Sequence, residues 1–449
     1  MSLLRYTSAL NDDRTKKGLR HLLLDGIFSQ SMANLSNNVF LVAFLLLIGG
    51  DVLIIAIVMT ISYLSNVFQI FSIYLIEKTK SRKIICVSFS LISRLLIVIV
   101  ALSPFLFHAN LLTLIVLLVS IIYITRAIST GSFSYWMRDF VPGKIRGSFF
   151  AKRTRIGLFI ANLISILAAI YLDNYMGGNL IVAYSNIFIV AFILGIIGLF
   201  FLSLIPEPKI NNSLHFSFKA LRNTLNNKLF KSWIISLIVW TVAYNLVSPF
   251  FVVYMIIRIH LSLFFIVLLI FLSQFVTIVF LPSWGLIIDK FGAKPAMKIS
   301  ILVYIAMLLL WPFTTLPNTH TLTLPLLVLI YILMGISVGG INLASYITVF
   351  KISSDDNAPY CITLNNIVSS IAMGAAALSG GILSTFLDYM ELSLTFRLKN
   401  TTGDLVIYLM DFQGLDFLFI FAVFLGFYAM YQLEKVKIVG ENTEEAVYN

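Results

Sequence analysis

The chain has 449 residues, is 59% hydrophobic and only 11% charged, yet carries a net charge of +11. Its mean hydropathy of +0.98 excludes a soluble globular protein, whose core could not hide so much apolar surface. Two cysteines, Cys86 and Cys361, exclude a disulfide framework and read as reduced structural thiols.

A helix that crosses a bilayer needs about 20 mostly apolar residues. The chain offers twelve such runs, at 22–49, 52–76, 84–107, 110–136, 156–173, 180–205, 233–257, 261–288, 299–316, 321–350, 361–387 and 415–433. They are too long and too evenly apolar for barrel strands, which alternate. The first is interrupted by Asp25, Gln30, Asn34, Asn37 and Asn38 and has no clean apolar core with a small-residue cleavage site, so it reads as a retained helix. The longest polar gap near the middle, Pro206–Lys231, divides six runs from six. Pro312, Pro317 and Pro325 crowd the junction of the ninth and tenth runs. The gap from Asp388 to Asp416 is acidic and reads as a solvated external loop. Asn34, Asn211 and Asn400 each open a glycosylation pattern, of which only Asn400 with Thr402 would lie outside the cell.

The cations set the orientation. Of 31 Lys and Arg residues, 26 fall in the two tails and in every second gap, and the intervening gaps hold only Arg258, Arg397 and Lys399. Cytoplasmic loops carry excess Lys and Arg, so both termini are expected in the cytoplasm and the chain in the cell (inner or plasma) membrane. The same scatter among short loops argues against nucleic acid as the partner.

The two halves look repeated. Leu75, Ile76, Glu77 and Lys78 follow the second run, and Ile287, Ile288, Asp289 and Lys290 follow the eighth, at an offset of 212 that also carries Gly143 to Asp355. At these residues the chain resembles the major facilitator superfamily. Gly285, Asp289, Lys290, Gly292 and Lys294 match its loop signature, while the first copy keeps Glu77 and Lys78 but has Ile73 and Lys80 in place of glycines. Val141, Pro142, Arg146, Gly147, Phe149 and Phe150 after the fourth run, and Pro206, Glu207 and Pro208 after the sixth, are also similar to stretches of bacterial members. The resemblance implies an all-α integral membrane fold of twelve transmembrane helices in two six-helix pseudo-symmetric bundles. On that reading residues 1–205 form the first bundle, 206–232 a cytoplasmic linker, 233–433 the second bundle and 434–449 a cytoplasmic tail. Asp289 could pair with Lys290, with Lys294 or with a helix N-terminus, and Gly285 and Gly292 would allow a close helix contact and a tight turn. Glu77, Lys78, Asp139, Arg146 and Gly147, with Gly285, Asp289, Lys290, Gly292 and Lys294, are the gating candidates.

Ionisable residues inside a membrane cost about 2.5–3.5 kcal/mol on insertion scales and mark functional sites. Arg94 and Arg126 each lie roughly 15 Å deep, ten residues from an inner helix end. Asp25 is the nearest embedded acid, able to neutralise Arg126, bind a proton or cap the inner end. The first helix carries two polar stripes, Asp25, Ser29 and Ser36, and Gln30, Asn34 and Asn38. The second half offers amides: Asn245, Gln274, Asn342, Asn365 and Asn366. The candidates for substrate or coupling are Asp25, Asn34, Asn38, Arg94, Arg126, Asn245, Gln274 and Asn342.

No phosphate loop, Ser-His-Asp set or paired carboxylates appear, and the five His are scattered without metal-ligand spacing. An enzyme is therefore the least supported class, and no cofactor or metal is expected. The expected function is secondary active transport of a small anionic or neutral polar solute by alternating access, with Asp25 the one candidate for proton coupling, in a monomer. A lipid or drug exporter or flippase, and a non-transporting sensor on the same fold, are the alternatives.

Overall fold

The computed structural model describes residues 13–107, 110–175, 178–208, 224, 226–315, 319–352, 358–387, 389–400 and 403–436. Among them are twelve helical spans long and apolar enough to cross a membrane: Asp13–Leu47, Val52–Thr79, Arg82–Leu106, Leu111–Phe140, Ile145–Asn174, Leu180–Ser203, Lys228–Ile257, Leu263–Phe291, Ala293–Thr314, Thr323–Val349, Cys361–Leu387 and Leu415–Glu434. They are numbered one to twelve below. Large apolar side chains stand exposed along them, among them Leu167, Leu286, Phe386 and Phe424, as a lipid-facing surface requires. The chain is a multi-pass membrane protein.

The spans start where polar side chains satisfy free N–H groups. Ser81 accepts from Ile84 N–H at 3.2 Å before span three, Asn179 from Ile181 N–H at 3.0 Å before span six, and Asn227 from Leu229 N–H at 3.0 Å before span seven. The fifth helix begins at Gly143 rather than at 156, because the basic residues Lys144–Arg155 continue it as polar turns.

The chain divides into two compact units. One comprises Met1–Asp51, Leu64–His215 and Ser262–Val267; the other comprises Val52–Tyr63, Phe216–Leu261 and Leu268–Asn449.

In unit one the floor of the core is Leu19, Leu22, Cys86, Trp136, Phe140, Leu202 and Ile205, at the end that carries most of the basic loops. Asp173 closes span five by accepting from the Leu263 and Phe264 N–H groups at 3.2 and 3.0 Å, capping the start of span eight.

In unit two the core is aromatic. The rings of Phe251 and Trp311 stack at 4.9 Å, and Tyr254 and Phe419 close on Trp311 at 5.4 and 5.3 Å. Thr60 donates to Gly374 O at 3.1 Å. Span seven is interrupted: helix Lys228–Asn245 stops and helix Phe250–Ile257 restarts after Pro249.

The gap after span eleven is not a plain loop. It folds as an antiparallel hairpin, β1 (Glu391–Asn400) and β2 (Gly403–Gln413), with a bulge between Leu394 and Thr395. Asp416, read from sequence as part of that loop, is fully buried at the start of span twelve.

Candidate functional site

Asp25, Ser29, Gln30 and Asn34 of the two polar stripes of span one are answered inside unit one. Asp25, only 2% exposed, accepts from Ser29 at 2.8 Å and from the Arg153 guanidinium at 2.8 Å. Arg153 also donates to Leu22 O at 3.0 Å and lies over the Phe133 ring. Arg94 donates to Ser29 at 3.1 Å, so its link to Asp25 is indirect. The second stripe runs through amides: Gln30 donates to Asn34 at 3.3 Å, and Asn34 donates to Asn162 of span five at 3.1 Å. The side chain of Asn38 lies outside the described residues.

Asp25 does not neutralise Arg126; its partner is Arg153. Sequence reasoning counted Arg153 among the loop cations, because it precedes the apolar run of span five. The signal was available, since no helix breaker separates Gly147 from that run. Asn162 was missed as a lone amide in an apolar stretch.

Arg94 is buried, with its Nε lacking a partner, and Arg126 ends in a buried Nη2 that also lacks one. Between them, spans three and four are joined by Ser90 and Ser129, whose hydroxyls meet at 2.6 Å.

Asp139, Arg146 and Lys294, three of the ten gating candidates, are tied by side-chain hydrogen bonds or ion pairs within their own unit. Asp139 pairs with buried Arg82. Arg146 caps the end of span four, donating to the Val141 carbonyl at 3.1 Å and to that of Arg138. Glu207 accepts from Ser81 Oγ at 2.7 Å and from the Arg82 and Lys83 N–H groups at 2.5 and 3.2 Å. Trp136 donates to Pro206 O at 3.2 Å. This cluster fastens spans three, four and six together at the basic end of unit one.

In unit two, Lys294 does not pair with Asp289. It donates to the carbonyls of Glu434 and Val436 at 2.6 and 3.0 Å, at the end of span twelve. Lys290 lies over the Phe291 ring. Glu77, Lys78 and Asp289 are exposed. Gly292 has φ +94°, which a side chain would strain. Gly285 and Gly147 have open space where a Cβ would stand, so neither marks a close helix contact in this structure.

Unit two holds a cavity of about 480 Å³, within the size of small-molecule sites. Its polar lining includes Asn245, Asn342, Asn365 and Asn366, the hydroxyls of Thr241, Ser345, Ser369, Tyr63 and Tyr346, and the aromatic pair Trp240 and Tyr244; among the described residues no Asp, Glu, Lys, Arg or His lines it. Asn245 donates to Thr241 O at 2.9 Å and Asn365 accepts from Trp233 at 3.1 Å. Of the five second-half amides singled out from sequence, only Gln274 lies outside this lining. Among the described residues no group of three or more His, Cys, Asp or Glu could hold a metal ion.

The family model described as Major Facilitator Superfamily matches residues 26–389. The chain belongs to the major facilitator superfamily. Solved structures agree in fold. The nucleoside transporter NupG is 16% identical, with 95% of this chain and 100% of that one covered and a TM-score of 0.63. A D-xylose-proton symporter is 12% identical over 93% and 97%, at 0.65. A bacterial homologue of the iron transporter ferroportin, in an inward-facing state, is 12% identical over 93% and 98%, at 0.65. No curated protein matches the chain. As a major facilitator superfamily member the protein is a secondary transporter, and its cargo has to be argued from its own side chains.

Proposed function

We propose that this transporter moves a small polar solute without positive charge, anionic or neutral, by alternating access. We place it as a monomer in the cell membrane with both termini cytoplasmic. The observation that carries the reading is the cavity of unit two, where amides and hydroxyls converge with no carboxylate among the lining residues. A cationic cargo needs either a carboxylate or open aromatic faces. Here the lining rings Trp240 and Tyr244 pack on each other and on Tyr304, with centroids 5.1 to 6.0 Å apart, which leaves Tyr63 and Tyr346 as the other aromatic rings of the cavity. Asparagine side chains offer both donors and acceptors, the complement of hydroxyl, amide and carbonyl groups on an uncharged solute.

Proton coupling, if the transporter uses it, would act on Asp25, and a proton there would have to displace Arg153.

The test is flux into liposomes carrying the purified protein, with labelled sugars, nucleosides, organic anions and organic cations offered in parallel. Flux of a neutral or anionic solute is expected, with cations at background. Asn342→Leu should slow it about tenfold, as the loss of one well-placed hydrogen bond does. Robust cation flux that Asn342→Leu leaves untouched would overturn the reading.

A further inference from the structure

We propose that Arg94 and Arg126 together form an oxyanion-binding subsite in unit one, which takes a carboxylate or phosphate-type group of the transported solute. The inference rests on the transport reading above and narrows its cargo.

The level of the two arginines follows from the serine contact between their helices. Spans three and four run in opposite directions and touch where Ser90 and Ser129 meet at 2.6 Å. Arg94 lies four residues after Ser90, and Arg126 three residues before Ser129. Both steps lead toward the same end of the unit, by about 6 and 4.5 Å at 1.5 Å per residue. The two guanidinium stems therefore leave touching helices at nearly one depth.

Neither cation has its own counter-charge among the described residues. The carboxylate of Asp25 has one oxygen on Arg153 and the other on Ser29. Arg94 reaches only the Ser29 hydroxyl and leaves its Nε buried without an acceptor. Arg126 leaves Nη2 buried in the same state. Other arginines of unit one have a carboxylate: Arg82 also leaves its Nε without an acceptor but pairs with Asp139, and Arg153 pairs with Asp25. Two cations with buried, unused N–H groups make an incomplete cluster. The missing piece is an acceptor with negative charge, and a planar guanidinium fork fits the oxygens of a carboxylate or phosphate.

The experiment reads binding apart from flux. The purified protein is melted in phosphatidylcholine nanodiscs with low-millimolar acetate, succinate or inorganic phosphate. Acetamide and chloride at matched ionic strength are the controls. A second arm uses phosphatidylglycerol nanodiscs with no added oxyanion. At least one free oxyanion should raise the melting temperature where acetamide and chloride do not. Arg126→Gln and Arg94→Gln should weaken that effect about tenfold or more, the scale of one lost charge-assisted hydrogen bond. Arg126→Lys should keep part of it, and Arg155→Gln, at an exposed cation, should leave it unchanged. No oxyanion effect in the wild type, or an equal effect in the two Gln variants, overturns the subsite. A shift seen only with phosphatidylglycerol, and lost in the variants, overturns its assignment to the solute and gives it to a lipid headgroup. Either failure leaves the flux of neutral solutes as a separate test of the transport reading.

Discussion

Arg153→Met should be the most damaging single change in unit one. The methionine keeps much of the apolar stem but removes both the ion pair with Asp25 and the bond to Leu22 O. Asp25 is 2% exposed and would keep only the Ser29 hydroxyl. Removing one partner of a buried pair costs about 3–5 kcal/mol. The Arg153 side chain is 18% exposed, which lets water share some of its charge, so the lower end, about 3 kcal/mol, is the expectation. Asp25→Asn should cost less, about 1–2 kcal/mol, because Arg153 retains the Leu22 carbonyl and the Phe133 ring. The double variant Asp25→Asn with Arg153→Met strands no charge and should recover about 2 kcal/mol relative to the sum of the singles. The assay is unfolding by increasing SDS fraction in mixed micelles, followed by tryptophan fluorescence. A loss under about 1 kcal/mol for Arg153→Met, or strict additivity in the cycle, would refute the pairing argument.

Three further outcomes follow from the same contacts. Glu207→Ala should cost about 1–2 kcal/mol by uncapping span three, while Glu207→Gln should keep most of that in the same SDS titration. Gly380→Ala should lower the apparent melting temperature, because the new methyl meets the Leu246 carbonyl and stands 2.9 Å from the Phe250 ring; Gly285→Ala, facing open space, should be neutral or stabilising by up to about 1 kcal/mol. Tyr254→Phe removes the donor 2.7 Å from buried Asp416 and should destabilise by about 1–3 kcal/mol, with faster protease cleavage in Glu391–Gln413 as its local readout.

The twelve helices were readable because each apolar run alone comes close to or exceeds the span length, so no tertiary information was needed. What the sequence hid depends on contacts made far along the chain. Asp416 looks like a loop acid until Tyr254, 162 positions away, and the Gln413 N–H are seen to bond it. Arg153 looks like a topology signal until its helix is extended back to Gly143. The hairpin did announce itself in the alternation of Leu392, Leu394, Phe396 and Leu398 with polar residues, but the acidic composition of the gap masked the period. The amides of spans seven, ten and eleven were recognisable as polar groups in apolar helices. Which of them converge is a matter of helix rotation, and there Asn245 and Asn342 separate from Gln274. The shared depth of Arg94 and Arg126 was readable by counting residues, whereas the missing counter-charge was not, because it turns on Asp25 being occupied elsewhere.

The interruption of span seven gives that helix a joint. Pro249 has no N–H to offer the Asn245 carbonyl, and the Phe250 N–H turns to Val247 O instead of Leu246 O. Two rungs of the regular ladder are thus absent at one level, so bending there meets fewer helical hydrogen bonds than elsewhere along the span. The segment before the joint carries Trp240, Thr241 and Asn245 of the cavity; the segment after it carries Tyr254 and Arg258, which reach Asp416 and Gln413 at the foot of the hairpin. Swivelling of the second segment would move the hairpin as its handle while the cavity wall stays still, and a spin label on β2 would report motion that a label beside Trp240 does not share.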